Sequence, residues 1–183
     1  GVPFAPRQLA HDMTTVGDLL FFTAEDQRGR EVWVSDGTTA GTRLAADINT
    51  GEASSQPRAL TDHAGRLFFV ANDGTDYGLW VIDPPQLTSQ RLAVAGVTTQ
   101  LFVAGENLFF TNDTADNTEV WVTDGSLEGT TRLATLPTND SDLAVFRDSL
   151  LIAAETESGH RLTALDSSGE QLELGFVSGA PQE

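Results

Sequence analysis

The sequence predicts an all-β protein assembled from four copies of one unit, each made of about four short antiparallel strands. Three observations lead there. First, four apolar triplets, Leu20-Phe21-Phe22, Leu67-Phe68-Phe69, Leu108-Phe109-Phe110 and Leu150-Leu151-Ile152, recur at spacings of 47, 41 and 42 residues. Second, landmarks on either side keep that register: Met13, Leu60, Leu101 and Leu143 precede the triplets, and Asp36, Asp83, Asp124 and Asp166 follow them, each at a constant offset. Third, no segment sustains a helical period, while turn-formers such as Gln27-Arg28-Gly29, Asn72-Asp73-Gly74, Asn112-Asp113 and Asp36-Gly37 interrupt the apolar runs.

The first strand of each unit is expected at 13–16, 60–63, 101–104 and 143–146, and the second at 19–24, 66–71, 107–111 and 149–154. The third falls at 31–35, 78–82, 119–123 and 161–165, and the fourth at 42–46, 90–94, 131–135 and 171–176. The units are thus roughly 9–48, 57–95, 98–136 and 140–176 of a single repeat domain over 1–183. In the second strand Leu20 and Phe22 point one way and Phe21 the other, so both faces are apolar and both need a cover. A two-layer sandwich leaves one face wet. A blade of a β-propeller, held between two neighbours, buries both, and a repeat of about 40–45 residues with four strands has the propeller size. The expectation is a β-propeller type of four blades.

The copies are unequal. The second has Asp83-Pro84-Pro85 where the first and third have Asp-Gly, and prolines there force a different turn. The fourth has Thr163 in place of Trp33, Trp80 and Trp121, and Glu173 in place of Arg43, Arg91 and Arg132. End repeats are commonly atypical because one side lacks a neighbour. At the start, Gln8-Leu9-Ala10-His11-Asp12-Met13 echoes Arg43-Leu44-Ala45-Ala46-Asp47-Ile48. That echo reads as the closing strand of a preceding unit, or as a strand that latches onto the last blade.

With 27 acidic against 10 basic residues the net charge is −17, which disfavours phosphate backbones and anionic membrane surfaces alike. No apolar run approaches the ~18–20 residues that span a bilayer. The absence of cysteine excludes disulfides, cysteine-ligated zinc and thiol catalysis. No basic region followed by an apolar one is present, so no signal peptide is expected in these residues.

The segment EVWVSDGTTAGTRLAADI, from Glu31 to Ile48, and its counterpart EVWVTDGSLEGT, from Glu119 to Thr130, carry a resemblance. They resemble the ELWxxDGT repeat of bacterial secreted and surface proteins, with the second and fourth units matching only in spacing and hydrophobic positions. The resemblance covers about residues 9–176. It implies an extracellular propeller-like module without a shared reaction, exported from a bacterial cell, with sorting signals elsewhere in a longer precursor.

Candidate sites follow the repeat. Asp36-Gly37 and Asp124-Gly125 read as hairpin turns, the aspartate accepting from turn amides and the glycine supplying positive φ. Trp33, Trp80 and Trp121 read as packing between blades, with a carbohydrate-stacking platform as the alternative. Arg43, Arg91 and Arg132 point to the rim, placed to pair with acids of a neighbouring blade. The loops holding Asn72, Asp73 and Asp76, and Asn112, Asp113 and Asp116, offer the oxygens that calcium takes, although neither closes with the glutamate of a full calcium loop. Glu25 and Asp26 occupy the same place in the first unit. Ordinary Asn-Asp turns are the competing reading.

His11, His63 and His160 occupy unrelated places in the repeat, and no nucleophile elbow, paired metal histidines or phosphate loop appears. The expected function is a non-catalytic extracellular binding or scaffold module, with a protein or glycan partner at a cell surface and no required cofactor. A glycan-binding, calcium-assisted lectin is the alternative, and a propeller glycosidase with two carboxylates the second alternative. Self-association, or further repeats of the precursor, would complete the blades.

Overall fold

A computed structural model describes residues 11–84, 86–95, 97–137, 141–156 and 159–177. Among the described residues it contains sixteen strands and no helix. The first sheet comprises β1 (His11–Val16), β2 (Leu19–Asp26), β3 (Gly29–Ser35) and β4 (Arg43–Ala46); the second comprises β5 (Arg58–His63), β6 (Arg66–Asn72), β7 (Tyr77–Asp83) and β8 (Thr88–Ala95). The third is β9 (Val97–Ala104), β10 (Asn107–Asp113), β11 (Asn117–Thr123) and β12 (Thr131–Pro137), and the fourth is β13 (Ser141–Phe146), β14 (Ser149–Thr156), β15 (Gly159–Leu165) and β16 (Gln171–Val177). Each sheet is a plain antiparallel meander in chain order. His11, Asp12 and Met13 belong to β1, opposite β2; residues 8–10 of the N-terminal echo lie outside the described residues.

The two-sided apolarity of the second strand becomes two packed faces. In the first sheet Phe22 stands opposite Trp33 and Ala24 opposite Glu31, which defines a tryptophan face. Phe21 opposite Val34, and Thr23 opposite Val32, define the other, here called the valine face. The same pairing recurs as Phe69–Trp80 and Phe68–Val81, and as Phe110–Trp121 and Phe109–Val122. In the fourth sheet Ile152 opposes Thr163 and Leu151 opposes Ala164.

The chain divides into two compact units, Gly1–Thr99 and Gln100–Glu183. In the first, Phe21, Val32 and Val34 of the first sheet's valine face form one core with Leu67, Phe69 and Ile82 of the second sheet's tryptophan face. In the second, Phe109, Val120 and Val122 of the third sheet do the same with Leu150, Ile152 and Leu165 of the fourth. Within each unit the valine face of the earlier sheet receives the tryptophan face of the later one. Each fully buried Phe or Leu in these seams contributes about 1.5–3 kcal/mol through removal from water.

The outer strand carries a register shift in all four sheets, at Val32/Trp33, Gly78/Leu79, Val120/Trp121 and Leu162/Thr163. Ala45, Leu133 and Leu174 are the single extra residues in the first, third and fourth sheets, so each outer strand bends at the tryptophan position. Alternation counted along the sequence therefore does not run through these strands.

Candidate functional site

The repeated Asp turns are closed hydrogen-bond systems. Asp36 Oδ1 accepts from Thr38 N at 2.9 Å and Thr38 Oγ1 at 2.7 Å, while Thr38 Oγ1 accepts from Gly41 N at 2.9 Å. Asp124 repeats this with Ser126 and Gly129, and Asp166 binds Ser168 in the same way. These bonds hold the Asp36 and Asp166 carboxyls below the usual carboxylate range, the Thr38 and Ser168 hydroxyls being the largest cause. Gly37 and Gly125 take positive φ of 87°. Gly41 and Gly129 have another reason to be glycine: a Cβ on either would overlap the Asp36 or Asp124 carboxylate. In the second sheet the residue two beyond Asp83 is Pro85, which has no N–H, and Asp83 instead receives the Arg66 guanidinium.

The tryptophans are committed to the sheets. Trp33 is buried with Phe22, Ala24 and Leu44. Trp80 donates Nε1–H to Ala71 O at 3.2 Å, and Trp121 stacks on Phe110 and donates to Glu119 Oε2 at 3.2 Å.

The arginines pair within their own sheet rather than with a neighbouring one. Arg132 stands opposite Trp121 and reaches Glu119 Oε1 at 2.6 Å. Glu119 also accepts from Asn112 and Trp121, and these bonds, with Asn112 foremost, depress its pKa. The second sheet has Gly78 at the Glu119 position, and Arg91 passes over it to bind Asp73 Oδ2 at 2.7 Å and Asp76. Arg43 stands opposite Val34, one register away from its counterparts, and donates to Gly41 O at 3.3 Å.

The loop oxygens considered for calcium are engaged as follows. Asn72 Oδ1 accepts from Gly74 N, and Asp73 Oδ1 from Thr75 N, while Arg91 spans Asp73 and Asp76. Asn112 is half of the Glu119 cluster, Asp113 accepts from Thr118 Oγ1 at 2.7 Å, and Asp116 is exposed. Among the described residues no group of three or more His, Asp or Glu stands ready to hold a metal ion. His63 is buried against Phe68; the side chains of His11 and His160 lie outside the described residues.

A different place gathers unlike charges. Glu31, wholly buried on β3, accepts from Ile48 N at 3.0 Å, Ser55 N at 2.8 Å and Ser55 Oγ at 2.6 Å. Burial raises its pKa, against the lowering effect of these three bonds. Arg30 N donates to Ser54 Oγ at 2.9 Å, and Gly29 lies so close beneath residues 53–54 that a Cβ would meet their backbone at 2.7–2.8 Å. These contacts fix the β4–β5 connection across the seam. They leave a cavity of about 450 Å³ lined by Asp12, Glu25, Arg30, Ser54, Gln56, Pro57 and Arg58. Asp12, Gln56 and Ala59, in or beside this wall, hold left-handed φ of 45°, 49° and 55°, a conformation that costs non-glycine residues energy.

Arg58 is the distinctive group here. Its guanidinium lies 3.9 Å over the Tyr77 ring, and Tyr77 donates its hydroxyl proton to Gln56 Oε1 at 2.7 Å. Among the described residues no carboxylate pairs with Arg58, and its buried Nε has no hydrogen-bond partner. Opposite charge is close by, with Arg30 and Glu25 4.0 Å apart in the same wall. The motif-centred reading missed Arg58, Gln56 and Tyr77 because none recurs in the repeat. The signal was the first spacing, 47 where the others are 41 and 42: the surplus residues form the β4–β5 connection that lines the cleft.

No protein-family model and no curated protein matches this sequence. Solved structures do match its fold. The β-propeller domain of the trilobed protease from Pyrococcus furiosus is 14% identical with a TM-score of 0.64, over 91% of this chain and 57% of that one. TolB from Acinetobacter baumannii is 12% identical with a TM-score of 0.53, over 89% and 43%. Acylaminoacyl peptidase from Pyrococcus horikoshii is 14% identical with a TM-score of 0.61, over 91% and 32%. The chain has a β-propeller fold and spans between about a third and just over half the length of these relatives. At such identities the likeness is one of fold.

Proposed function

We propose that this chain is a non-catalytic binding and scaffold module of an exported bacterial protein, and that a protein partner seats a carboxylate in the cleft between the first and second blades. The observation that carries the reading is Arg58. In a chain with 27 acids and 10 basic residues, an arginine held over the Tyr77 ring without a carboxylate among the described residues is a docking group kept open. Guanidinium binds carboxylate through two parallel N–H···O bonds, and the cleft's own acids, Asp12 and Glu25, suit a cationic or amide group beside it. A peptide segment carries both. The tryptophans, buried or bonded within their own blades, favour a protein partner over a sugar-stacking platform. The ELWxxDGT resemblance agrees with a module that binds rather than reacts.

The test is selection of displayed peptides on the intact chain, with counter-selection on Arg58→Ala, run beside a glycan array. The expected result is a family of peptides sharing an acidic residue or free C-terminus, bound at least tenfold more weakly by Arg58→Ala. Glycan binding that survives Arg58→Ala would replace this reading with the lectin. Turnover on a panel of glycosides or peptides would replace it with an enzyme.

A further inference from the structure

The charges of the Arg58 cleft specify more of its occupant than a carboxylate. Asp12 and Arg58 both line the cavity, yet among the described residues neither forms an ion pair, with the other or with any third group. Glu25 and Arg30, in the same wall, lie 4.0 Å apart and offset one another. The cleft therefore offers a ligand one open cation and one open anion that do not neutralise each other.

Both are placed by breaks in strand register. Asp12 is the extra residue of a bulge in β1, between His11 opposite Thr23 and Met13 opposite Phe22, and its φ is 45°. β5 breaks register just after Arg58, where Ala59 has a φ of 55°. By contrast β13, the first strand of the fourth sheet, pairs with β14 in unbroken register. A bulge re-aims the side chain it carries, and left-handed backbone at a non-glycine residue persists only where the surrounding structure holds it. The Nε of Arg58 is buried, which leaves the two terminal nitrogens, side by side, for the two oxygens of one carboxylate. A dianion such as phosphate would meet Asp12 and Glu25 in the same wall, whereas a carboxylate with a cation beside it is attracted at both ends. At about 450 Å³ the cavity is of the size that takes a small ligand or the end of a chain.

We propose that the partner enters by its C-terminus and that its last residue is lysine or arginine, the α-carboxylate on Arg58 and the side-chain cation on Asp12 with Glu25 beside it. The proposal rests on the carboxylate-docking reading and narrows it. In a polypeptide the α-nitrogen is an amide, so the cation has to come from a side chain. A basic last residue carries both charges and requires no fold in the partner. The net charge of −17 draws such an end toward the chain.

Calorimetric titration of the intact chain tests this with three acetylated tetrapeptides: one ending in arginine, its C-terminal amide, and one ending in leucine. The arginine acid should bind, and its amide should bind about tenfold more weakly, as loss of a hydrogen-bonded charge predicts. The leucine acid should be about two- to fivefold weaker at low salt, the scale of an exposed ion pair, with the difference shrinking as salt rises. Asp12→Asn, chosen because asparagine accepts left-handed φ as aspartate does, should remove the preference for arginine over leucine. Arg58→Ala should weaken both acids. Equal affinity for the arginine and leucine acids, both weakened by Arg58→Ala, overturns this inference and leaves the carboxylate reading standing. Binding indifferent to Arg58→Ala overturns both. Free arginine bound as tightly as the acetylated peptide makes the ligand a basic amino acid and overturns the chain-end proposal. No binding of the arginine acid at millimolar concentration overturns it too, and the peptide selection then decides the carboxylate reading alone.

Discussion

Glu31→Gln tests whether burial or hydrogen bonding dominates at the acid that anchors the cleft. The substitution keeps the shape and removes the ionisation. Both carboxylate oxygens accept, one from Ser55 N and the other from Ile48 N and Ser55 Oγ. An amide has a single acceptor oxygen, so at least one buried backbone N–H would face an NH₂ group and lose its partner. That loss costs about 1–3 kcal/mol. A protonated glutamic acid keeps a lone pair on each oxygen and escapes this loss. The pH dependence gives the sharper test. Burial lifts the folded pKa of Glu31 above its ordinary 4.5. Between those two values the folded chain binds more protons than the unfolded chain, so stability contributed by Glu31 is full below about 4.5 and declines as pH rises through the folded value. Urea unfolding of wild type and Glu31→Gln from about pH 4 to pH 7 should show wild type more stable by the largest margin in acid, with the margin narrowing toward neutrality. A margin that widens toward neutrality would mean that the three hydrogen bonds outweigh the desolvation, and the argument for the raised pKa would be wrong.

Three further outcomes are expected. Trp33→Ala should destabilise the chain by about 3–5 kcal/mol in chemical unfolding, as loss of a buried indole does; a cost near that of a surface change would return the ring to the ligand-platform reading. Gly41→Ala should lower the melting temperature, and in an Asp36→Ala background it should do so much less, because the atoms nearest the added Cβ are those of that carboxylate. Millimolar calcium should leave the melting temperature of the wild-type chain unchanged, since Arg91 already occupies Asp73 and Asp76; a rise with calcium concentration would show the ion displacing it.

The blades were legible because they repeat. Each triplet such as Leu67-Phe68-Phe69 states in three residues that both faces of the strand are covered, and four copies in register leave little room for another all-β arrangement. The strand edges followed from the turn residues, with differences of a few residues at most. The arginines were legible only in part. Alternation along the outer strand placed Arg43, Arg91 and Arg132 alike, but a bulge bends that strand, and the turn before Arg43 is one residue shorter than the turn before Arg132. Arg132 therefore stands opposite Trp121 and reaches Glu119, whereas Arg43 stands opposite Val34 and reaches a turn carbonyl. A one-residue change moves a side chain to the other face, and no count of similar residues reveals it.

What the repeat hides is as informative as what it announces. Residues at repeated positions are constrained by packing in every blade, so they are the poorest places to look for a site that exists once. The cleft arises where the copies differ. The longer β4–β5 connection supplies Ser54, Gln56 and Arg58; Glu31, whose counterpart in the second blade is Gly78, ties that connection down; and strained backbone at Asp12, Gln56 and Ala59 sets its wall. The second blade's Gly78 in turn frees Arg91 to clamp its own loop acids. The same position thus serves as an anchor in the first blade, as the gap that Arg91 fills in the second and as an arginine partner in the third. In a propeller the recurrent residues build the frame, and the departures from recurrence are where binding can be placed without weakening it.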